Sequence, residues 1–183
     1  MTMSPAAGGM KMKQQVRWAA PSFFRQDQVL PIGTIVAYSD GKTGWLSDPR
    51  GVTPMAPPVI KQAQGEILRQ WFTLMLSDRD SSRTVSAAGP KSVQISTADG
   101  QSVRVEFDDA TGLPIRLFYK EGAMGDVRET FSDWREVDSI KLPFKILMEQ
   151  NEQKVGEVAI SEIKLNTGIK PEELSQKPEP AKK

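Results

Sequence analysis

Between Ser92 and Asn166 apolar and polar residues alternate, and across every intervening turn the apolar side chains stay on one face. A one-residue slip in strand pairing would turn every side chain to the opposite face, so this agreement admits little other than consecutive antiparallel strands. With Ala98-Asp99-Gly100 as a hairpin loop, Val103 falls opposite Ile95 and Val105 opposite Val93. The loop Asp108 to Gly112 then sets Phe107 opposite Leu113, Val105 opposite Ile115 and Val103 opposite Leu117. Pro114, which has no N–H to donate, predicts an edge-like or bulged start to that strand. Across the Gly122 to Gly125 loop Tyr119 pairs with Val127 and Ile115 with Phe131, which leaves Arg128 and Thr130 on the other side. A two-residue turn at Asp138-Ser139 pairs Val137 with Ile140 and Phe131 with Ile146, and another at Asn151-Glu152 pairs Met148 with Val155. Six strands follow from these turns.

The N-terminal part repeats the pattern. Met10, Met12, Val16 and Trp18 alternate with Lys11, Lys13, Gln15 and Arg17, interrupted at Gln14, which predicts a half-buried strand. A second strand is expected over Phe23 to Leu30. Thr34 to Tyr38 and Thr43 to Leu46 flank Asp40-Gly41, a hairpin signal that delivers Trp45 to a short strand. Four strands therefore precede an irregular, proline-rich stretch from Pro49 to Pro58. Pro57-Pro58 suits the start of a helix running to about Leu76, with Ile60, Ala63, Ile67, Trp71 and Met75 as its apolar stripe. Its end, Trp71 to Leu76, is apolar almost all round and must be covered.

The expected fold class is mainly β, of α+β type: an antiparallel half-barrel of about ten to eleven strands wrapped around one main helix. One domain spans residues 10 to 174, with residues 1 to 9 and 175 to 183 expected to be disordered. The tail opens on a helical turn at Pro171 to Leu174 and ends in a proline-rich, charged run unable to fold alone. At 183 residues the domain buries roughly two thirds of its unfolded surface.

Composition removes many chemistries. The chain has 24 basic and 23 acidic residues, so no global field points to nucleic acid or an anionic membrane. It has no histidine and no cysteine, which excludes histidine-based triads, histidine-ligated zinc, disulfides and cysteine-linked lipid anchors. The densest acidic clusters are Asp108-Asp109 and Ser77 to Asp80. A carboxylate pair would serve hydrolysis or hold calcium, but Asp109 sits in a turn where aspartate caps its own backbone, and Asp78 and Asp80 follow a helix end. No calcium-loop, phosphate-loop or nucleophile-elbow motif occurs. No catalytic residue, metal or cofactor is expected.

Three segments carry a resemblance to a known family. Val103 to Pro114, Thr130 to Ile146 and the closing Ile163 to Ile169 are similar to the repeating hairpins of outer-membrane lipoprotein-sorting proteins, the periplasmic lipoprotein-carrier (LolA-like) superfamily. The likeness extends over about Met10 to Leu174 and rests on turn and strand signatures, which specify fold better than activity. It departs at Ser139, where such hairpins have glycine after aspartate, and in the first nine residues, which lack the apolar core of an export signal; a chain trimmed at its N-terminus would account for the latter.

The resemblance implies a half-barrel of about eleven strands, a periplasmic location and a non-enzymatic binder of a lipid or lipoprotein acyl chain. Met12, Val16, Trp18, Val105, Leu117, Phe131, Ile146 and Met148 from the sheet, with Trp71 and Met75 from the helix, are the expected cavity lining. Methionine suits such a wall because its unbranched thioether adapts to irregular ligands. Release would need a membrane or a membrane-associated partner protein, and the protein itself is expected to be a monomer. Lys11, Lys13 and Arg17 are candidates for a hand-over rim, although lysines also protect strand edges from aggregation. Glu129, on the inward parity between Val127 and Phe131, lies at the sheet rim or is a polar handle for a head group. The rival reading is an interaction or regulatory module with a filled core, since similar domains accompany zinc peptidases and envelope-stress regulators.

Overall fold

The structure, a computed structural model, describes residues 1–5, 11–122 and 125–178. Among the described residues, thirteen antiparallel strands form one open sheet. The first meander comprises β1 (Thr2–Pro5), β2 (Met12–Ala19), β3 (Phe23–Leu30), β4 (Gly33–Ser39), β5 (Gly44–Asp48) and β6 (Gly51–Pro54). The second comprises β7 (Arg83–Gly89), β8 (Ser92–Thr97), β9 (Ser102–Phe107), β10 (Pro114–Lys120), β11 (Asp126–Val137), β12 (Ile140–Gln150) and β13 (Gln153–Ala159). β1 pairs with both β2 and β13 and thereby welds the meanders into one sheet, whose outer strands are β6 and β7.

Three strands exceed the ten read from the sequence. β6 lies in the stretch read as irregular and is brought against β5 by a turn in which Asp48 accepts hydrogen bonds from the Arg50 backbone and guanidinium. β7 precedes the alternating region and carries little apolar signal of its own. β1 shows that Thr2–Pro5, within the segment expected to be disordered, form a strand: all four residues pair with β13, and Thr2 and Met3 also with β2, so pairing rather than side-chain burial orders them. Consequently Lys13, paired with Thr2 on one side and Val29 on the other, does not guard a free edge. Met10 lies outside the described residues, as do residues 179–183 of the expected tail.

The turns place most faces as expected and two registers differently. Ile95 faces Val103, Val93 faces Val105, Tyr119 faces Val127, Phe131 faces Ile146 and Val137 faces Ile140. Val105, however, faces Leu117 rather than Ile115, and Val103 faces Tyr119: the loop already sets Phe107 against Pro114 instead of Leu113, and a bulge between Pro114 and Arg116 adds a second one-residue shift, so the face is kept. Another bulge beside Glu149 sets Met148 against Gly156 instead of Val155. Ser139 takes a φ of 65° and Glu152 one of 66°, left-handed conformations normally given to glycine.

The expected single helix is two: α1 (Pro57–Arg69) and α2 (Trp71–Met75), separated by Gln70 with an extended ψ of 133°. The break re-aims the aromatic end. A 3-10 turn over Ser77–Arg79 leads into β7, and α3 (Pro171–Ser175) closes the described chain.

Residues paired across strands share a face, and neighbours along a strand alternate. Pairing therefore puts Met12, Met3, Val158, Ile146 and Phe131 on one face and Arg17, Arg25, Tyr38 and Trp45 on the other. Each face has its own core. On the first, Leu68, Leu74, Trp71 and Met75 from the helices pack on Ile95, Val103, Val105, Leu117, Tyr119, Val127 and Phe131. On the second, Leu174 of α3 is sealed against Val36, Tyr38 and Trp45, with Ile169, Ala19 and Phe23 around them. Arg25 holds this closure, donating to the Leu174 carbonyl at 3.1 Å while its guanidinium pairs with Asp27 at 3.1 Å and lies over the Trp45 ring.

Candidate functional site

Six of the ten residues expected to line a cavity come together under α2. Val105, Leu117 and Phe131 are buried there, and Trp71, Met75 and Ile146 pack on them half-buried. Trp71 meets Phe131 edge-on at 5.6 Å between ring centroids and Trp134 at 5.5 Å. Asp133, with a φ of 55°, breaks the alternation of β11 just before Trp134 joins this aromatic group.

The other four lie further along the same face. Met148 is in the row of Glu129 and Leu117, Met12 is in the row of Ile146 and Phe131, and Val16 and Trp18 share the parity of Met12 in β2. All four are half-buried. Met3, which lies outside the sequence-read lining, belongs to this set. It sits between Met12 and Val158, and its Cε is 3.5 Å from where a Cβ on Gly156 would stand. A strip of thioethers and branched side chains thus runs along the middle of the sheet, with a glycine leaving room between Met3 and Met148.

A polar group borders this strip. Tyr119 donates its hydroxyl to Glu129 Oε1 at 2.8 Å, and the Arg69 guanidinium, anchored on Glu66 at 2.9 Å, lies over the Tyr119 ring at 3.8 Å. Glu129 keeps some solvent exposure as a residue, but its carboxyl is enclosed by protein. Burial raises its pKa from the ordinary 4.5, an effect that nearby Arg69 and the Tyr119 hydroxyl oppose without cancelling. Burial also raises the Tyr119 phenol, which therefore remains a donor. The Arg69 Nε–H and the Trp18 indole N–H are buried without an acceptor among the described residues. Together these groups can accept or donate hydrogen bonds beside an apolar surface. The sequence exposed Glu129 through its parity; Arg69 and Tyr119 carry no local signal.

The rim residues separate. Arg17 is ion-paired with Asp27 at 2.5 Å on the second face, and Lys13 pairs backbone to backbone with Thr2 and Val29 within the sheet. Two shallow, open grooves on the surface include none of the ten expected lining residues. The larger, about 840 Å³, is a groove on the second face bordered by Arg104, Phe118, Arg128 and Glu149, and the smaller, about 320 Å³, lies where Ile67 and Leu68 of α1 approach the turns at Gly41 and Asp99. Under α2 the helical side chains Leu74, Trp71 and Met75 pack directly on the sheet, while the side chains of the methionine strip stay half-buried. In the turn after β9 it is Asp108, rather than the expected Asp109, that accepts from the Thr111 backbone and hydroxyl, while Asp109 is ion-paired with Lys91. No group of three or more potential metal-ligating side chains occurs among the described residues, and none of their helices is long and apolar enough to cross a membrane.

A sheet of this connectivity, with its helical segment inserted between two meanders, matches three crystal structures over nearly the whole chain. A domain from Vibrio parahaemolyticus assigned to outer membrane lipoprotein sorting superposes with a TM-score of 0.61 at 13% identity, covering 94% of this chain and 85% of that one. A LolA superfamily protein from Nitrosomonas europaea gives 0.65 at 14% identity over 96% and 86%. The chain has a LolA-like fold. A DUF1329 family protein from Desulfovibrio piger shares it at 0.59, with 10% identity over 92% and 84%. No family model and no curated protein matches this chain by sequence. Identities this low carry the LolA-like architecture and leave the site to be argued from its own residues.

Proposed function

We propose that this protein is a non-enzymatic, periplasmic carrier-like binder that holds an acyl chain, or another apolar group of similar shape, along the helix-bearing face of its sheet. The observation that carries this reading is the strip of half-buried Met3, Met12, Ile146 and Met148 on the same face as the Trp71 and Phe131 cluster. Apolar side chains held half-open by interior strands are poised to bury a ligand, at about 0.8 kcal/mol for each CH₂ removed from water. The polar group of Glu129, Tyr119 and Arg69 beside this strip would offer hydrogen bonds to a ligand's ester or amide end. The lipoprotein-sorting domain and the LolA superfamily protein share the architecture, and a periplasmic location goes with that reading.

A second reading has its own support. The helices pack on the sheet and neither of the two open grooves is lined by the expected residues, as in an interaction module with a filled core. Native mass spectrometry of protein purified from cells, followed by titration with an environment-sensitive fatty-acid probe, separates the two. Added mass matching an acyl chain, or saturable probe binding, supports the carrier. A bare mass with no probe binding refutes it in favour of the filled module.

A further inference from the structure

The two outer strands of the sheet are built differently. β6 is four residues long and ends on Pro54, whose ring removes a donor. β7 is seven residues long and pairs only with β8 among the described residues. From Thr84 to Gly89 it carries no charge and no proline, and every one of those residues is exposed. Charges, prolines and short length are the usual protections of a free strand edge, and here they are missing. The charge of Arg83 is turned back onto Asp80, 3.1 Å away.

The face of β7 also ends abruptly. Val85 stands in one cross-strand row with Ile95, Val103, Tyr119 and Val127, all buried, whereas Val85 itself is 41% exposed. A further strand along β7 would continue the row and supply partners to its unpaired backbone groups. The strand is complementary to itself. Laid antiparallel about Val85, two copies put Val85 against the partner's Val85, Thr84 against the partner's Ser86 and Arg83 against the partner's Ala87. Apolar meets apolar, small polar meets small polar, and no like charges face each other. The register shift between Ala87 and Gly89 ends the pairing there.

We propose that β7 is a self-association edge at which two copies of this chain join their sheets antiparallel about Val85, in place of the monomer expected from the sequence. Five residues per copy make a small interface, so the dimer forms in a concentration-dependent way.

The absence of cysteine from the chain makes a direct test available. In the proposed register Val85→Cys brings two thiols to directly opposed positions, with Cβ atoms about 5 Å apart, close enough for a disulfide after small adjustment. Thr84→Cys faces the partner's Ser86 instead. Under mild oxidation Val85→Cys should cross-link to dimer at least tenfold faster than Thr84→Cys. Sedimentation velocity of the unmodified chain should show mass rising with concentration, and Val85→Lys should abolish that rise while its melting temperature stays within a few degrees. Equal cross-linking rates, or a monomer at every concentration, overturn the proposal.

Discussion

Leu174→Ala tests whether the second face is a real core. Leu174 is 0% exposed although it lies on a five-residue helix beyond a long irregular segment, and it is enclosed by Val36, Tyr38 and Trp45. Leucine-to-alanine changes at buried sites cost about 2 to 5 kcal/mol, the larger values occurring where the walls cannot close over the gap. Here two walls are aromatic rings tilted 30° to each other at 5.7 Å, and Arg25 pins the backbone of α3 above them. Collapse is therefore limited, and about 3 kcal/mol is expected. For a domain of this size that corresponds to a fall in Tm of about 6 to 12 °C. Urea denaturation followed by far-ultraviolet circular dichroism measures it, with Leu76→Ala at a half-exposed position as the comparison. If α3 instead detaches as a unit, the native tryptophan emission shifts to the red as Trp45 meets water. A loss below 1 kcal/mol with unchanged emission would refute the claim that Leu174 closes this face.

Glu129→Gln should stabilise the protein at neutral pH. Because burial raises the folded pKa above the unfolded 4.5, the contribution of Glu129 is fully present below about pH 4.5 and is lost as pH rises through the folded value, so the variant should flatten that part of the stability profile measured by urea titration at stepped pH. Ser139→Gly and Glu152→Gly should each raise stability by about 1 kcal/mol by relieving a left-handed residue, and a neutral or negative effect in thermal melts would show that the turns gain something from those side chains. Met12→Lys and Met148→Lys, at half-buried positions, should weaken fatty-acid probe binding at least tenfold while melting temperatures move little; unchanged binding would remove the methionine strip from the site.

Much of the fold was legible because hairpin chemistry and side-chain alternation act locally. Asp138-Ser139 and Asn151-Glu152 form the predicted two-residue turns, and Phe23–Leu30 is a strand over the predicted residues. The misreadings arose where pairing is decided at a distance. β1 has four residues with no periodicity, and only the gap between β2 and β13 makes it a strand. The loop and bulge at Pro114 together move partners by two residues and keep Val105 and Leu117 inward, whereas the one-residue bulge beside Glu149 leaves Val155 exposed and puts Val158 inward in its place. Gln70 looks like any helix residue, yet the helix breaks there so that Trp71 can meet Phe131 and Trp134. Leu174 and Ile169 are isolated apolar residues in a polar tail, so nothing in their neighbourhood announces a second core.

The two faces differ in what opening them would disturb. On the second, α3 is held by a buried leucine and by a guanidinium that also engages Asp27 and Trp45, so release would break an ion-paired, hydrogen-bonded closure together with an apolar one. On the first, α2 has five residues, no side-chain cap at its start and an extended residue joining it to α1; its grip on the sheet is Trp71, Leu74 and Met75. The backbone ladders beneath α2 are complete without it. A ligand lying along Met12, Met3 and Ile146 would therefore compete with α2 for the Phe131 cluster and leave the strands paired, which places any change of shape on binding in the helical cover rather than in the sheet.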